Sequence, residues 1–194
     1  MKVNQSDIAI ILGDSPFLSE IQDTLQYALD RYFSVGINRV IDKFRTNMQV
    51  CLDSKILPVA NRHPEITTVT MKAHGALVQK EQKELFDTYA FNFRLDTAED
   101  LLRNKKLAWC GFTHDYALSY LISKGWKYII LIGAADFTQG NHFSNEEVFS
   151  PSTKLVELSK KFIEEICTQK AKIFTCNPNS SLNIPRLSIE KLLI

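Results

Sequence analysis

Five short runs of small and polar residues punctuate the chain: Gly13-Asp14-Ser15-Pro16, Asn38-Arg39, Asp53-Ser54, Gly133 to Asp136, and Asn177 to Ser180. Each follows an apolar run. Gathered in one place, such residues suit a polar ligand. Glycine lets a backbone come close, Ser, Asn and Asp exchange hydrogen bonds with hydroxyls, and N–H groups at a helix start favour an anion by about 0.3–1 kcal/mol. The helix expected from Pro16 makes phosphate the natural ligand of the first run. Asp14 then caps the helix or meets sugar or base hydroxyls. The same residue types also dominate ordinary turns, so their coincidence past successive strands carries the reading. Of the histidines His63, His74, His114 and His142, His142 in Gln139-Gly-Asn-His-Phe143 is the candidate catalytic acid or base. His114, near a helix start, could also reach such a rim.

Missing motifs narrow the chemistry. No two glycines have the G-x-G spacing of the dinucleotide fingerprint, and G-x-x-x-x-G-K-[ST], G-x-S-x-G and H-E-x-x-H are absent. Cys51, Cys110, Cys167 and Cys176 show no C-x-x-C spacing, so each reads as a small buried apolar residue, and neither metal nor cofactor is expected.

The elements that would carry these runs alternate as βαβ units. Residues 8–12 form a continuous apolar run, as a strand buried on both faces requires, and it breaks at Gly13. Ser15 and Pro16 suit the N-cap and first turn of a helix carrying Leu18, Ile21, Leu25, Ala28 and Leu29 on one face. Strands are expected at 33–37, 48–52, 128–132 and 172–176, and an edge strand at 66–71. Residues 76–86 read as a polar helix. Thr113 caps a helix through Lys124 with Gly125 at C′, Ser152 to Thr168 is the last helix, and 137–151 is a loop. The expected fold is α/β: a three-layer, Rossmann-like domain with a mainly parallel sheet. Its ligand site would lie past the carboxyl ends of the strands, where strand order reverses.

Composition sets the bounds. A chain of 194 residues, 45% hydrophobic and with only 7 Gly and 6 Pro, reads as a single domain over 1–194 with its own core. Lys plus Arg at 23 against Asp plus Glu at 22 leaves a net charge of +1 and no basic stripe, so nucleic acid is not an expected partner. The apolar runs 8–12 and 128–135 fall far short of the ~20 residues that span a bilayer. No integral membrane segment is expected, and a reducing cytoplasm, with the inner membrane face as an option, fits the chain. Phe143, Phe149 and Tyr89 are candidate contacts of a lid or a homo-oligomer.

Three segments carry a family resemblance. Residues 8–18 (IAIILGDSPFL), 125–137 (GWKYIILIGAADF) and 176–182 (CNPNSSL), with Asn38 after the second strand, resemble in order and spacing the motifs of the bacterial sialyltransferase-like superfamily. That superfamily holds lipooligosaccharide sialyltransferases, motility-associated glycosyltransferases and pterin-diphosphokinase-like proteins. The resemblance covers most of the chain, least well in its middle third. It implies a domain that binds a cytidine-activated, sialic-acid-type sugar and transfers it with inversion, without a metal, to a cell-surface glycan. Gly13, Asp14, Ser15, Pro16 and Asn38 would contact nucleotide and sugar, with Asp53, Thr113 and Gly133 on the same rim. Asp136 and Phe137 would lie against ribose or base, and Pro178, Asn179 and Ser180 would hold nucleotide or carboxylate.

The chain departs from that pattern where the sialyltransferases do their chemistry. Ser150-Pro151-Ser152-Thr153 stands in place of their histidine base, Thr138 in place of the phosphate-stabilising tyrosine, and Asp14 in place of the opening asparagine. His142 is the replacement base that the short loop offers. Two alternatives follow: pyrophosphoryl transfer to a pterin with magnesium and a nucleoside triphosphate, and a non-catalytic nucleotide-binding or interaction module.

Overall fold

The computed structural model describes residues 4–102, 106–137, 140–141, 148–149 and 152–193. Its frame is a sheet of eight strands paired in parallel throughout. In chain order these are β1 (Ile8–Leu12), β2 (Phe33–Ile37), β3 (Met48–Val50), β4 (Thr67–Met71), β5 (Lys83–Ala90), β6 (Lys106–Trp109) and β7 (Tyr128–Ile132). A two-stranded antiparallel ribbon, β8 (Gly140–Asn141) and β9 (Val148–Phe149), precedes the last strand, β10 (Lys172–Thr175). The spatial order is β10-β7-β1-β2-β3-β4-β5-β6. This is the α/β, Rossmann-like architecture that the alternating apolar and amphipathic runs predict.

Alternation along β1 sets the layers. Ala9 and Ile11 pack on one face of the sheet with Tyr116, Ala117 and Leu121 of α3 (Thr113–Ser123) and with Phe162 and Ile163. Ile10 and Leu12 pack on the other with Leu18, Leu25 and Leu29 of α1 (Leu18–Arg31). All of these side chains are at most 3% exposed, so β1 is buried on both faces, as a parallel sheet between two helical layers demands. A short α2 (Leu57–Asn61) follows β3, and α4 (Thr153–Lys161) leads back to β10. Among the described residues no helix is long and apolar enough to cross a membrane.

The crossovers reverse direction at β1. From β1 the chain steps outward through β2 to β6, then returns under the sheet along α3 and enters β7 on the opposite side of β1. The topology therefore switches between β1 and β7, and it is outside the carboxyl ends of strands at such a switch that open α/β sheets take ligands.

Several local expectations are corrected. Residues 66–71 form no edge strand: β4 lies between β3 and β5, with Thr68 and Thr70 fully buried. Their hydroxyls are satisfied across the sheet, Thr70 Oγ1 donating to Cys51 O at 2.6 Å and Thr68 Oγ1 to Gln49 Oε1 at 3.4 Å. The polar helix at 76–86 is instead the end of a 3-10 turn (Lys72–Leu77) and the start of β5. Asn38–Asp42, directly after β2, is a further 3-10 turn. The final helix is not one continuous α-helix: after Lys161 it loosens into a π turn (Phe162–Ile166) and tightens into a 3-10 turn (Cys167–Gln169).

Candidate functional site

Five strand ends converge on one cavity of about 430 Å³. That lies within the ~300–1,000 Å³ typical of small-molecule sites. Gly13 to Pro16 follow β1, Ile37 and Asn38 end β2, Leu52 and Asp53 follow β3, and residues 133–137 follow β7. Trp109 and residues 111–114, at the end of β6 and the start of α3, form the remaining wall.

The backbone of this rim is strained in one place above all. φ is positive at Gly133 (62°), Ala135 (56°) and Phe137 (53°), every second residue after β7. Alternating hands of this kind gather successive N–H groups on one side, as anion-binding concavities do. Asn38 is a further left-handed residue on the rim, with φ 56°. Ala135, Phe137 and Asn38 are the non-glycine residues with positive φ among those described, and all three line the cavity. Conformations of this sort cost about 1–3 kcal/mol each and cluster at ligand sites.

The start of α1 behaves differently from expectation. The helix begins at Leu18, and residues 15–17 form a tight turn before it. Ser15 Oγ accepts from Phe17 N–H at 3.2 Å, Leu18 N–H donates to Ser15 O at 3.1 Å, and Ser19 N–H donates to Pro16 O at 3.1 Å. Ser15 N–H itself donates to Gly133 O at 3.2 Å. These donors are spent inside the protein, so an anion is not met by them. Thr113, Ala134 and Ala135 are among the rim residues whose N–H groups have no hydrogen-bond partner among the described residues. Thr113 opens α3, so the positive end of that helix faces the cavity.

Gly13 has a structural reason of its own. A Cβ on Gly13 would stand 2.2 Å from the Gly133 carbonyl oxygen, so the loops after β1 and β7 touch backbone to backbone. The missing Cβ admits the Gly133 backbone, and Gly13 also lines the cavity.

Two side chains on the rim have buried polar atoms that nothing among the described residues satisfies. Neither carboxylate oxygen of Asp136, which is 5% exposed, completes a hydrogen bond, and Asn38 Oδ1 is likewise unpartnered. Burial raises the Asp136 pKa above the usual carboxylate value, against the opposing pull of Ser15 and Asn177, which approach it without closing a bond of good geometry. All three orphaned atoms are acceptors when Asp136 is ionised, so they call for a ligand rich in O–H or N–H donors.

The opposite wall is aromatic. Phe112 stacks on the His114 ring at 5.1 Å with 9° between planes, and Phe137 meets both edge-on at 5.4 Å. Trp109, 39% exposed, extends this wall to the mouth. Charged side chains among the described lining residues are acids, Asp14, Asp53 and Asp136, beside a His114 whose pKa burial pushes far down, keeping it neutral.

The residues singled out from the sequence divide accordingly. Gly13, Asp14, Ser15, Pro16, Asn38, Asp53, Thr113, Gly133, Asp136 and Phe137 all line the cavity. Asp53 also has a local task, its Oδ1 accepting from Lys55 N–H at 2.8 Å. Pro178, Asn179 and Ser180 do not line it. They form a turn past β10 in which Asn177 Oδ1 accepts from Asn179 N–H at 2.8 Å and Ser180 Oγ accepts from Leu182 N–H at 3.3 Å. Asn177 alone of that run reaches toward the site, through Asp136. His142 and Thr138 lie outside the described residues. Sequence reasoning missed Trp109, Gly111 and Phe112, which a Gly-aromatic-Thr run directly before a helix could have flagged.

No family model matches the sequence, and no curated protein does. Among solved structures the chain is similar to the MAf glycosyltransferase from Magnetospirillum magneticum AMB-1, with a TM-score of 0.63 at 13% identity. The match covers 97% of this chain and 35% of that one, so this chain spans about a third of the length of that protein. The likeness lies in the fold, a Rossmann-like α/β fold that a glycosyltransferase also uses.

Proposed function

We propose that the cavity binds a nucleotide-activated sugar of the cytidine type and passes the sugar to a hydroxyl of a glycan. One observation carries this reading: acceptors and N–H groups on a left-handed turn that find no partner among the described residues share a single cavity with an aromatic wall. Each matches one part of such a donor. Asp136 and Asn38 would accept from ribose or sugar hydroxyls, the N–H groups of Thr113, Ala134 and Ala135 would face phosphate, and Trp109 and Phe137 would flank a ring. Donors aimed at the departing phosphate stabilise the charge that develops there, and a nearby base is needed for the attacking hydroxyl. The fold shared with a glycosyltransferase agrees with this reading.

Thermal denaturation with added ligands tests it. Cytidine monophosphate at about 100 times its dissociation constant should stabilise the protein by about 2.7 kcal/mol without magnesium. No shift with the nucleotide or with a cytidine-sugar donor overturns the reading and leaves an interaction module. The acidic lining favours a second reading. With Asp14, Asp53 and Asp136 as its ionisable acids, the cavity would receive a nucleoside triphosphate most readily with magnesium already on its phosphates. A shift with ATP and magnesium, and none with cytidine monophosphate, selects that phosphotransferase.

A further inference from the structure

Behind the aromatic wall, three buried side chains on two helices form one hydrogen-bonded cluster, in which Ser159 bridges His114 and Asp115 while His114 Nε2 also stands 3.4 Å from Asp115 Oδ1. Ser159 Oγ, on α4, lies 2.5 Å from Asp115 Oδ1 and 2.9 Å from His114 Nε2, both residues on α3. Asp115 Oδ2 accepts from Phe112 N–H at 3.1 Å. Asp115 and Ser159 are fully buried and His114 is 8% exposed, and of the three only His114 lines the cavity. Close packing holds the line: at Gly111, φ 131°, an added Cβ would meet Leu155 Cδ2 of α4 at 2.9 Å.

The proton positions follow from counting. Ser159 has one proton, and an ionised acid at 2.5 Å is its strongest acceptor. The Asp115 bond therefore takes the Ser159 proton, Ser159 in turn accepts from His114 Nε2–H, and His114 Nδ1 keeps the lone pair.

We propose that His114, Ser159 and Asp115 form a proton relay that takes the proton of the attacking hydroxyl in the transfer reaction. This rests on the transferase reading above. As the acceptor oxygen bonds to the anomeric carbon, its proton passes to His114 Nδ1. The Nε2 proton moves to Ser159 Oγ, and the Ser159 proton moves to Asp115 Oδ1. The bond from the anomeric carbon to the phosphate oxygen breaks, and the phosphate leaves with the electron pair. His114 and Ser159 end neutral, having each received and given one proton, while Asp115 ends as the carboxylic acid.

Burial explains why a relay is needed. An imidazolium enclosed by Phe112 and Phe137 is strongly disfavoured, and burial equally disfavours ionised Asp115. In the serine-protease triad the aspartate stays ionised because it stabilises an imidazolium. Here the acid is the better resting place for the proton. Cys110 and Cys167, the titratable groups next to Asp115, and Tyr89 beyond them are held neutral by burial, so Asp115 is left as the group of this cluster that titrates.

Nitrogen NMR of histidine in the ligand-free protein tests the relay without any substrate. At roughly pH 9 His114 should be the Nε2–H tautomer, and at roughly pH 5 the Nδ1–H tautomer, never the imidazolium. Ser159→Ala and Asp115→Asn should each abolish the swap, and one of them folding suffices. An imidazolium on acidification, or one tautomer at both ends of the range, overturns the proposal. In transfer assays Ser159→Ala should lower kcat about 100-fold or more with the donor KM unchanged, and flatten the rise of rate with pH. Unchanged kcat also overturns it. A tautomer swap without turnover of any cytidine-sugar donor sinks the transferase reading and leaves the proton line standing.

Discussion

Asp136 holds a carboxylate in the interior with neither oxygen in a completed hydrogen bond among the described residues, which burdens the ligand-free protein. Asp136→Asn, of nearly the same shape, should raise unfolding stability at neutral pH by about 1–3 kcal/mol. Burial raises this pKa above 3.8, so the contribution of the neutral acid is present at low pH and is lost as pH rises from 3.8 through the raised folded-state value. Urea unfolding across that range should show the fall in the native protein and not in the variant. Equal stability at neutral pH would mean that the carboxylate has found a partner. The same change should remove most of the stabilisation by cytidine monophosphate, so the variant gains robustness as it loses the ligand. Two glycines separate space from backbone conformation in the same assay. Gly13→Ala drives a methyl against a carbonyl at 2.2 Å and should leave little folded protein. Gly125→Ala meets nothing within 4 Å and should cost only the left-handed penalty at φ 86°, about 1–2 kcal/mol.

Among the elements, α4 depends on the residue that caps it: Ser152 Oγ accepts from Leu155 N–H at 3.3 Å, and Ser152→Ala should lower stability by about 1 kcal/mol in thermal unfolding. No change would show the cap to be solvent-replaceable. Legibility in the sequence also varied by element. β1, β2 and β7 lie where the apolar runs place them, because a strand buried on both faces is mostly apolar. β5 hid behind its charges. Glu84 takes hydrogen bonds from Tyr120 and Lys124, and Asp87 takes one from Lys72, so polar residues that read as one face of a helix are neutralised by partners distant in sequence. The positions of the rim were readable, since turn residues past strands mark it. Its chemistry was not. The left-handed turn at 133–137 contains a single glycine, and the aromatic wall depends on β6, a strand of four residues with no distinguishing pattern.

At the scale of the whole molecule, the sheet joins distant parts of the chain. β1 pairs along its full length with β7, Ile8 opposite Tyr128 and Leu12 opposite Ile132, and the loops past their carboxyl ends line the cavity together. A chain cut after residue 124 keeps six strands yet exposes one side of β1. It should fail to unfold cooperatively and should bind a hydrophobic dye, measured by circular dichroism and fluorescence. A sharp transition in that fragment would show the first six strands to be self-sufficient. The same adjacency has a price during translation. At about 5–20 residues per second, β1 waits on the order of ten seconds for β7 to emerge. In that interval the flank of Ile8–Leu12 is an open template for any other extended chain. Yield in a cell should therefore respond to chaperones that shield nascent strands more than to any change in the finished cavity.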